Sequence, residues 1–421
     1  MRHSVTEPVF LQHATRIAAR LRSAFRELLA ITDDPRSRPP PSSELRTIHP
    51  TLRSRLLRAL ESTNDLTTLY HLPGPDGLRR VIRAARKANR SGQAAERCEA
   101  CVAEYERFLA AEEADRDKLH AVLGGFLPEA RDAVVRASGQ AAFKAMSNLI
   151  GYYADLMLFS MVVFPGTAPD RCHVLLVRGF EGWRRLRQEV WPLIVGYGGE
   201  PQALGGQHIR ATDLQGQPLD QRDGPVLLEP FCSRPVPEFR LYSQQHMGRQ
   251  YQLAGHEVGT ASACTFYLAE LHWNVERRYR SAEQSVCLES VVIVTPSKHL
   301  LFDVLVHRDV WTDVHPAVEC YRVVPHGPVT ERSRSWRRFD RIDLPIAPRA
   351  LGLGLHAIDS TQSPKYGQVV DYVLREARLA RSDFVGYRCE TPFPIYASQV
   401  GMRFDLPEPP ADADPSPNTT P

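Results

Sequence analysis

The chain has 421 residues, 43% of them apolar and 24% charged, with a formal net charge of +3. That length allows two or three domains with sizeable cores, and that balance is the balance of a folded, not a disordered, chain. The net charge does not establish a polyanion partner. The longest strongly apolar run, 156–164, has nine residues, against the roughly 20 that a membrane-spanning helix needs.

The opening residues, with Arg2, His3, Ser4, Thr6 and Glu7, do not read as a secretory leader. The eight cysteines are scattered. Buried free thiols in a cytoplasmic protein are therefore the expectation. Charge is unevenly spread: residues 1–100 carry 18 Arg/Lys against 10 Asp/Glu. Such a surplus suits a positive surface if the side chains converge.

The first predicted helix covers residues 10–29, where Phe10, Ala14, Ile17, Leu21, Phe25 and Leu28 recur at helical spacing. Asp33-Asp34-Pro35 stops it, and 36–42 reads as an extended linker. From Ser42 the pattern predicts a very short helix, a turn at His49-Pro50 and a second helix capped by Thr51, packed through Leu52, Leu56, Leu57 and Leu60. This is compatible with a helix-turn-helix whose second helix enters a major groove. An ordinary amphipathic hairpin has the same pattern. In the DNA reading, Arg53, Ser54 and Arg58 face base edges, since a guanidinium can donate two bonds to guanine. Arg55, Arg79, Arg83 and Arg86 then contact phosphates. The last three sit on a further helix after the Pro73–Gly77 turn, with Leu78, Val81, Ile82 and Ala85 inward.

Helices follow at 94–116 and 131–153. Near residue 165 the character changes to short β-branched runs punctuated by Gly and Pro. Strands are predicted at 156–164, 172–177, 226–228, 287–295, 300–306 and 318–324, and helices at 180–190 and 368–378. Residues 296–298 read as a hairpin connection. The predicted fold class is α+β: a basic helical, DNA-binding module (1–90), a helical connector or dimerisation region (91–154), a mixed α/β body (155–405) and a flexible tail (406–421).

Chemical motifs are sparse. Cys98 and Cys101 have CxxC spacing, which serves redox or zinc chemistry but equally two buried small residues. His307, Asp309, Asp313 and His315 could surround a divalent metal at a strand end, or cap and ion-pair a turn. Cys264, between His256 and His272, could be a nucleophile only if a histidine met it in space. Gly352-Leu353-Gly354-Leu355 lacks the spacing of a phosphate-cradling loop. The leading expectation is a DNA-associated regulator or scaffold, non-enzymatic and without cofactor, whose later body forms homo-oligomers or receives a signal; pairing through an uncovered edge among the strands around 287–306 belongs to the first alternative. A self-assembling interaction protein and a divalent-metal-dependent hydrolase are the alternatives.

Overall fold

The computed structural model describes residues 9–29, 48–88, 92–112, 116–197, 210–243, 249–311 and 315–410. The chain divides into two compact units, Met1–Val135 and Arg136–Pro421.

The first unit is helical: α1 (Val9–Leu28), α2 (Pro50–Glu61), α3 (Asp65–His71), α4 (Pro75–Lys87), α5 (Gly92–Ala111) and α6 (Arg116–Gly124), with the start of α7 (Pro128–Ile150). The apolar stripes foreseen for α1 and α4 are the buried ones. Phe25, Leu56, Leu69, Ile82, Val102 and Tyr105 share their core. A helix-turn-helix is not shown among the described residues. Residues 42–47 lie outside the described residues, and α2 starts at Pro50 with His49 as its cap, the imidazole Nδ1 accepting from the Thr51 amide at 3.4 Å. Proline at the first helical turn is pre-set for that start and needs no amide partner, so Thr51 is inside the helix and not its cap.

The second unit contains β1 (Tyr152–Pro165), β2 (Arg171–Arg185), β3 (Leu193–Tyr197), β4 (Ala211–Thr212), β5 (Phe239–Ser243), β6 (Arg249–Leu253), β7 (Cys264–Arg277) and β8 (Val286–Val292). It continues with β9 (Ser297–His307), β10 (Ala317–Arg322), β11 (Arg341–Ile342), β12 (Arg349–Leu353), α8 (Tyr366–Glu376), β13 (Phe384–Pro392) and β14 (Ser398–Asp405). Seven strands form one sheet in the order β12-β13-β9-β1-β2-β7-β4, in which only β1 and β9 run parallel. A second sheet runs β11-β10-β14-β8, and a third β3-β6-β5.

The large sheet is buried on both faces, which is why β1 reads as a near-continuous apolar run. On one face Phe159, Leu176, Phe302 and Val304 meet Val291, Val400, Met402 and Phe404 of the four-stranded sheet. On the other, Leu158, Leu175 and Leu305 meet Val369, Val370 and Val373 of α8. The α+β class is therefore correct.

Three local expectations are overturned. Residues 180–185 are strand, not helix. The β2–β7 register shifts between Phe180 and Trp183, so these two inward side chains stand three residues apart and imitate helical spacing. Gly182 makes that shift feasible: its φ is +58°, and a Cβ there would lie 2.2 Å from Asp155 Oδ2. Residues 296–298 do not close a hairpin, because β8 and β9 belong to different sheets. Residues 226–228 contribute a single bridge, Leu227 to Leu268, instead of a strand. Of the strands proposed to expose an edge, β9 is interior; β8 is an edge, and its Leu288 amide donates to Glu331 Oε1 at 3.3 Å.

Candidate functional site

The register shift in β2 sends both Trp183 and Arg185 inward, 1% and 2% exposed. Arg185 donates from Nε to the Val190 carbonyl (3.2 Å) and from Nη2 to those of Leu253 (3.1 Å) and Ala254 (3.4 Å). Its guanidinium lies 5.5 Å from the Trp183 ring centroid, a cation–π contact. Nη1 bonds none of the described residues. It faces Gly255, where an added Cβ would stand 3.5 Å away. The indole Nε1 of Trp183 is also buried without an acceptor among the described residues.

The two other fully buried arginines among the described residues define what is unusual here. Arg388 donates to both oxygens of Asp303 at 2.9 and 2.8 Å, and Arg337 donates to Asp340 at 2.6 Å. Arg185 has carbonyl dipoles but, among the described residues, no carboxylate. Burial lowers its pKa, and the one nearby group opposing that shift is the Cys264 thiol. That thiol is itself pushed up to about 12 by burial, so it is neutral at physiological pH. A buried ion is costly unless a counter-charge and hydrogen bonds compensate. The Arg185 site therefore has positive charge to spare.

A cavity of about 400 Å³ opens on this pair, within the usual size range for small-molecule sites. Its walls come from the end of β2, the Leu253–Gly255 segment after β6, the 233–238 segment before β5, and the turn at Gly259–Ser262 leading into β7. Pro235, Val236, Pro237, Ala261 and Ala263 make much of this lining apolar. Glu238 and Glu257 are exposed lining residues. Ser262 braces the wall: Oγ donates to the Gly259 carbonyl at 2.8 Å and accepts the Arg185 amide at 2.9 Å. Such a pocket offers an anion the buried Arg185 and the exposed Arg234, and it adds an aromatic surface and two acidic side chains, of which Glu238 lies 3.5 Å from Arg240 Nε. Its thiol is not an activated nucleophile, because thiolate and not thiol is the reactive form. His256 packs edge-on against Trp191 at 5.2 Å between ring centroids; His272 sits on β7 with Nε2 3.4 Å from Glu270.

The residues assigned to DNA contact divide into two groups. Arg79 makes paired bonds to Glu106 of α5, at 3.2 and 2.5 Å, which raise its pKa. Arg86 lies 3.9 Å from Glu99. Arg55 is half-buried beside Tyr70 and Tyr105, and burial lowers its pKa. Those three are engaged within the helical unit. Ser54, Arg58 and Arg83 are exposed, and Arg53 is half-buried. Cys98 and Cys101 are buried on α5, with the Cys98 thiol pushed up to about 12 by burial, against redox use.

The 307–315 cluster is not assembled as a metal site among the described residues. His307 Nδ1 accepts the Asp309 amide at 3.2 Å, and its ring packs edge-on against Phe384. Asp309 Oδ2 is 3.7 Å from that ring, whereas exposed His315 joins no ligand group and Asp313 lies outside the described residues. The cause is Trp311. Its side chain is buried in the core with Nε1 donating to the Arg277 carbonyl at 3.0 Å, which ties the chain inward between the two histidines.

Trp183 and Arg185 escaped sequence reasoning because a helical reading of 180–190 sends arginines to water. An arginine two positions after a tryptophan, once the segment is read as strand, was the available signal. Comparison of the chain with protein-family models, with curated proteins and with solved structures finds no match.

Proposed function

We propose that this protein is a non-enzymatic, ligand-responsive regulator whose second unit binds a small carboxylate-bearing molecule at Arg185. One observation carries the reading: Arg185 is 2% exposed and lines a cavity without a carboxylate partner among the described residues. A ligand carboxylate supplies the missing counter-charge, and charge-assisted bonds to arginine are among the stronger polar contacts available. Glu257, with no ion pair among the described residues, favours a ligand with a positive group at its other end. The ligand class is therefore a zwitterion of amino-acid type, with the apolar wall receiving its side chain. The neutral Cys264 thiol favours binding over turnover.

The test is thermal unfolding and calorimetry of the full chain with amino acids, simple alkyl carboxylates and inorganic phosphate. At one hundred times Kd a ligand that binds only the folded state adds about 2.7 kcal/mol, so an upward shift in Tm is expected with amino acids and a smaller one with plain carboxylates. Arg185→Met should abolish both. The proposal fails if no member of the panel shifts Tm, or if the shifts survive in a folded Arg185→Met protein.

DNA contact by the helical unit is a second reading, favoured by the exposure of Arg58 and Arg83 without a carboxylate partner among the described residues. Basic side chains held in water are those that can neutralise phosphates and release counterions. Full-length protein on mixed duplex DNA should bind less tightly as salt rises. Replacing Arg83 by alanine should reduce the salt slope by about 1. Absence of binding at low salt rejects this reading.

A further inference from the structure

A long loop, residues 323–340, joins the paired antiparallel strands β10 and β11. Connections of that length are uncommon and are usually functional. Its inward and outward positions are inverted. Arg337 and Asp340, three residues apart, are 2% and 4% exposed, whereas Trp336 and Phe339, at the same spacing, are 58% and 76% exposed. We propose that this loop is a docking surface for single-stranded nucleic acid, with bases stacking on Trp336 and Phe339 and phosphates meeting Arg332, Arg338 and Arg341.

The inversion is held in place by a clamp. Arg337 donates from Nε to Asp340 Oδ2 at 2.6 Å, from Nη1 to the Gly327 carbonyl at 2.9 Å and from Nη2 to that of Arg322 at 3.2 Å. Arg322 Nε donates to the other Asp340 oxygen at 2.6 Å. These bonds tie both ends of the loop, and the turn at Gly327, to one buried ion pair. Val329 is buried, and its amide donates to Gln399 Oε1 of β14 at 2.6 Å. Burying an ion pair while two aromatic rings stand in water gives up hydrophobic stabilisation. The arrangement instead presents two rings already fixed before a partner arrives, so little ordering entropy is lost on binding.

Charge complementarity names the partner. Residues 322–343 hold six arginines against three acids. Asp340 is shared by Arg322 and Arg337, Glu331 accepts the Leu288 amide of β8, and Asp343 is exposed beyond β11. Arg334 donates to both oxygens of Glu319. Arg332, Arg338 and Arg341 are exposed, without a carboxylate partner among the described residues. The Arg338 guanidinium lies over the Phe339 ring, 5.0 Å from its centroid, and that of Arg337 lies over Trp336 at 5.7 Å. Rings beside unpaired arginines are the two parts of a single-strand site: each base has a face to stack and each phosphate a charge to neutralise. A duplex fits less well, because its base faces are already stacked on one another. An anionic membrane surface also fits less well. Seating these rings below the headgroups would carry their overlying guanidinium groups down with them, and charge at that depth is costly.

Full-length protein should be titrated into labelled oligothymidylate with anisotropy as the readout, beside duplex DNA and vesicles of phosphatidylcholine with phosphatidylserine. Binding to the single strand should weaken as salt rises. Trp336→Ala and Phe339→Ala should each weaken it by roughly tenfold, whereas Trp336→Tyr, which keeps a ring, should stay close to wild type. Arg338→Ala should lower the salt slope by about 0.7. Both aromatic positions are exposed, so these variants should keep the wild-type circular dichroism. Any duplex binding by the helical unit should be unchanged in them, which separates this proposal from that reading. The proposal is overturned if wild-type protein does not bind oligothymidylate at low salt, or if the folded alanine variants bind it as wild type does. It is equally overturned if those variants lose duplex or vesicle binding to the same extent.

Discussion

Arg388 and Arg185 are both buried on strands of the same seven-stranded sheet, yet one is closed and the other open. Under α8, Arg388 is held by Asp303, by the Ile358 carbonyl at 2.6 Å and by that of Asp359 at 3.0 Å. Tyr366 completes that cluster, donating to Asp303 Oδ2 at 2.7 Å and contacting Ser160 Oγ at 2.7 Å. Burial and the Asp303 charge push the Tyr366 pKa well up, so its hydroxyl stays a donor. Cross-strand register makes this possible, since Asp303 lies opposite both Ser160 and Arg388. At the far end of β2, Arg185 is opposite no carboxylate; its neighbours on β6 offer main-chain oxygens. The contrast teaches that burial of an arginine does not by itself mark a site. What matters is whether the fold also supplies the counter-charge.

The largest effect that follows from this contrast concerns the closed cluster. Asp303→Ala should destabilise the protein by about 3–5 kcal/mol, because it strands a buried guanidinium. Denaturant unfolding measures this, and a double variant with Arg388→Met should recover much of the loss. A loss below 1 kcal/mol would mean that water reaches Arg388.

Arg185→Met should behave oppositely. Stability should hold or rise, whereas affinity for an amino-acid ligand should fall by about thirtyfold or more, equivalent to 2 kcal/mol or more of binding. If Arg185→Met instead costs as much stability as Asp303→Ala, the carbonyl cradle alone satisfies Arg185 and the comparison collapses.

Arg337 sharpens the same comparison through pH. Bonds from Arg322 and Arg337, each 2.6 Å, hold the Asp340 carboxyl at about 2, below its ordinary 3.8. A depressed carboxyl pKa stabilises the fold fully above its unfolded value and less as pH falls through its folded one. The contribution is therefore complete above 3.8 and lost toward about 2. Acid unfolding of wild type against Asp340→Asn reads it: the variant should be weaker at neutral pH, and the gap should close in acid.

The smallest effect lies on the helical surface. Glu106→Gln removes the two closest bonds of Arg79, leaving Asp76 at 3.8 Å, and should leave unfolding unchanged within error, as exposed ion pairs contribute little. If the DNA reading holds, anisotropy should register modestly tighter binding at low salt. Weaker binding would show that Glu106 positions Arg79.

Much of the helical unit was legible because its stripes are local. Leu78, Val81, Ile82 and Ala85 recur at 3.6-residue spacing and are buried in α4 as that spacing requires. The arginines between them were legible only as charges. Whether Arg79 meets phosphate or Glu106 depends on a residue 27 positions away, and no spacing rule reports that pairing. The 307–315 segment shows a related limit: four candidate ligands in nine residues look convergent in the sequence, whereas Trp311 between them is buried in the core.

The candidate pocket was less legible still. Arg185 was read on a helix because the register shift at Gly182 breaks strand alternation at that point.

By itself the sequence determined the α+β class, the helical character of the first unit, the apolar strands at the centre of the large sheet, and the want of a helix long and apolar enough to cross a membrane. Those properties follow from periodicity and run length, which each segment carries alone. Tertiary structure alone decided which strands are neighbours and which arginine has a carboxylate opposite it. Those depend on register between distant segments, where a shift of one residue turns a side chain from one face of a strand to the other.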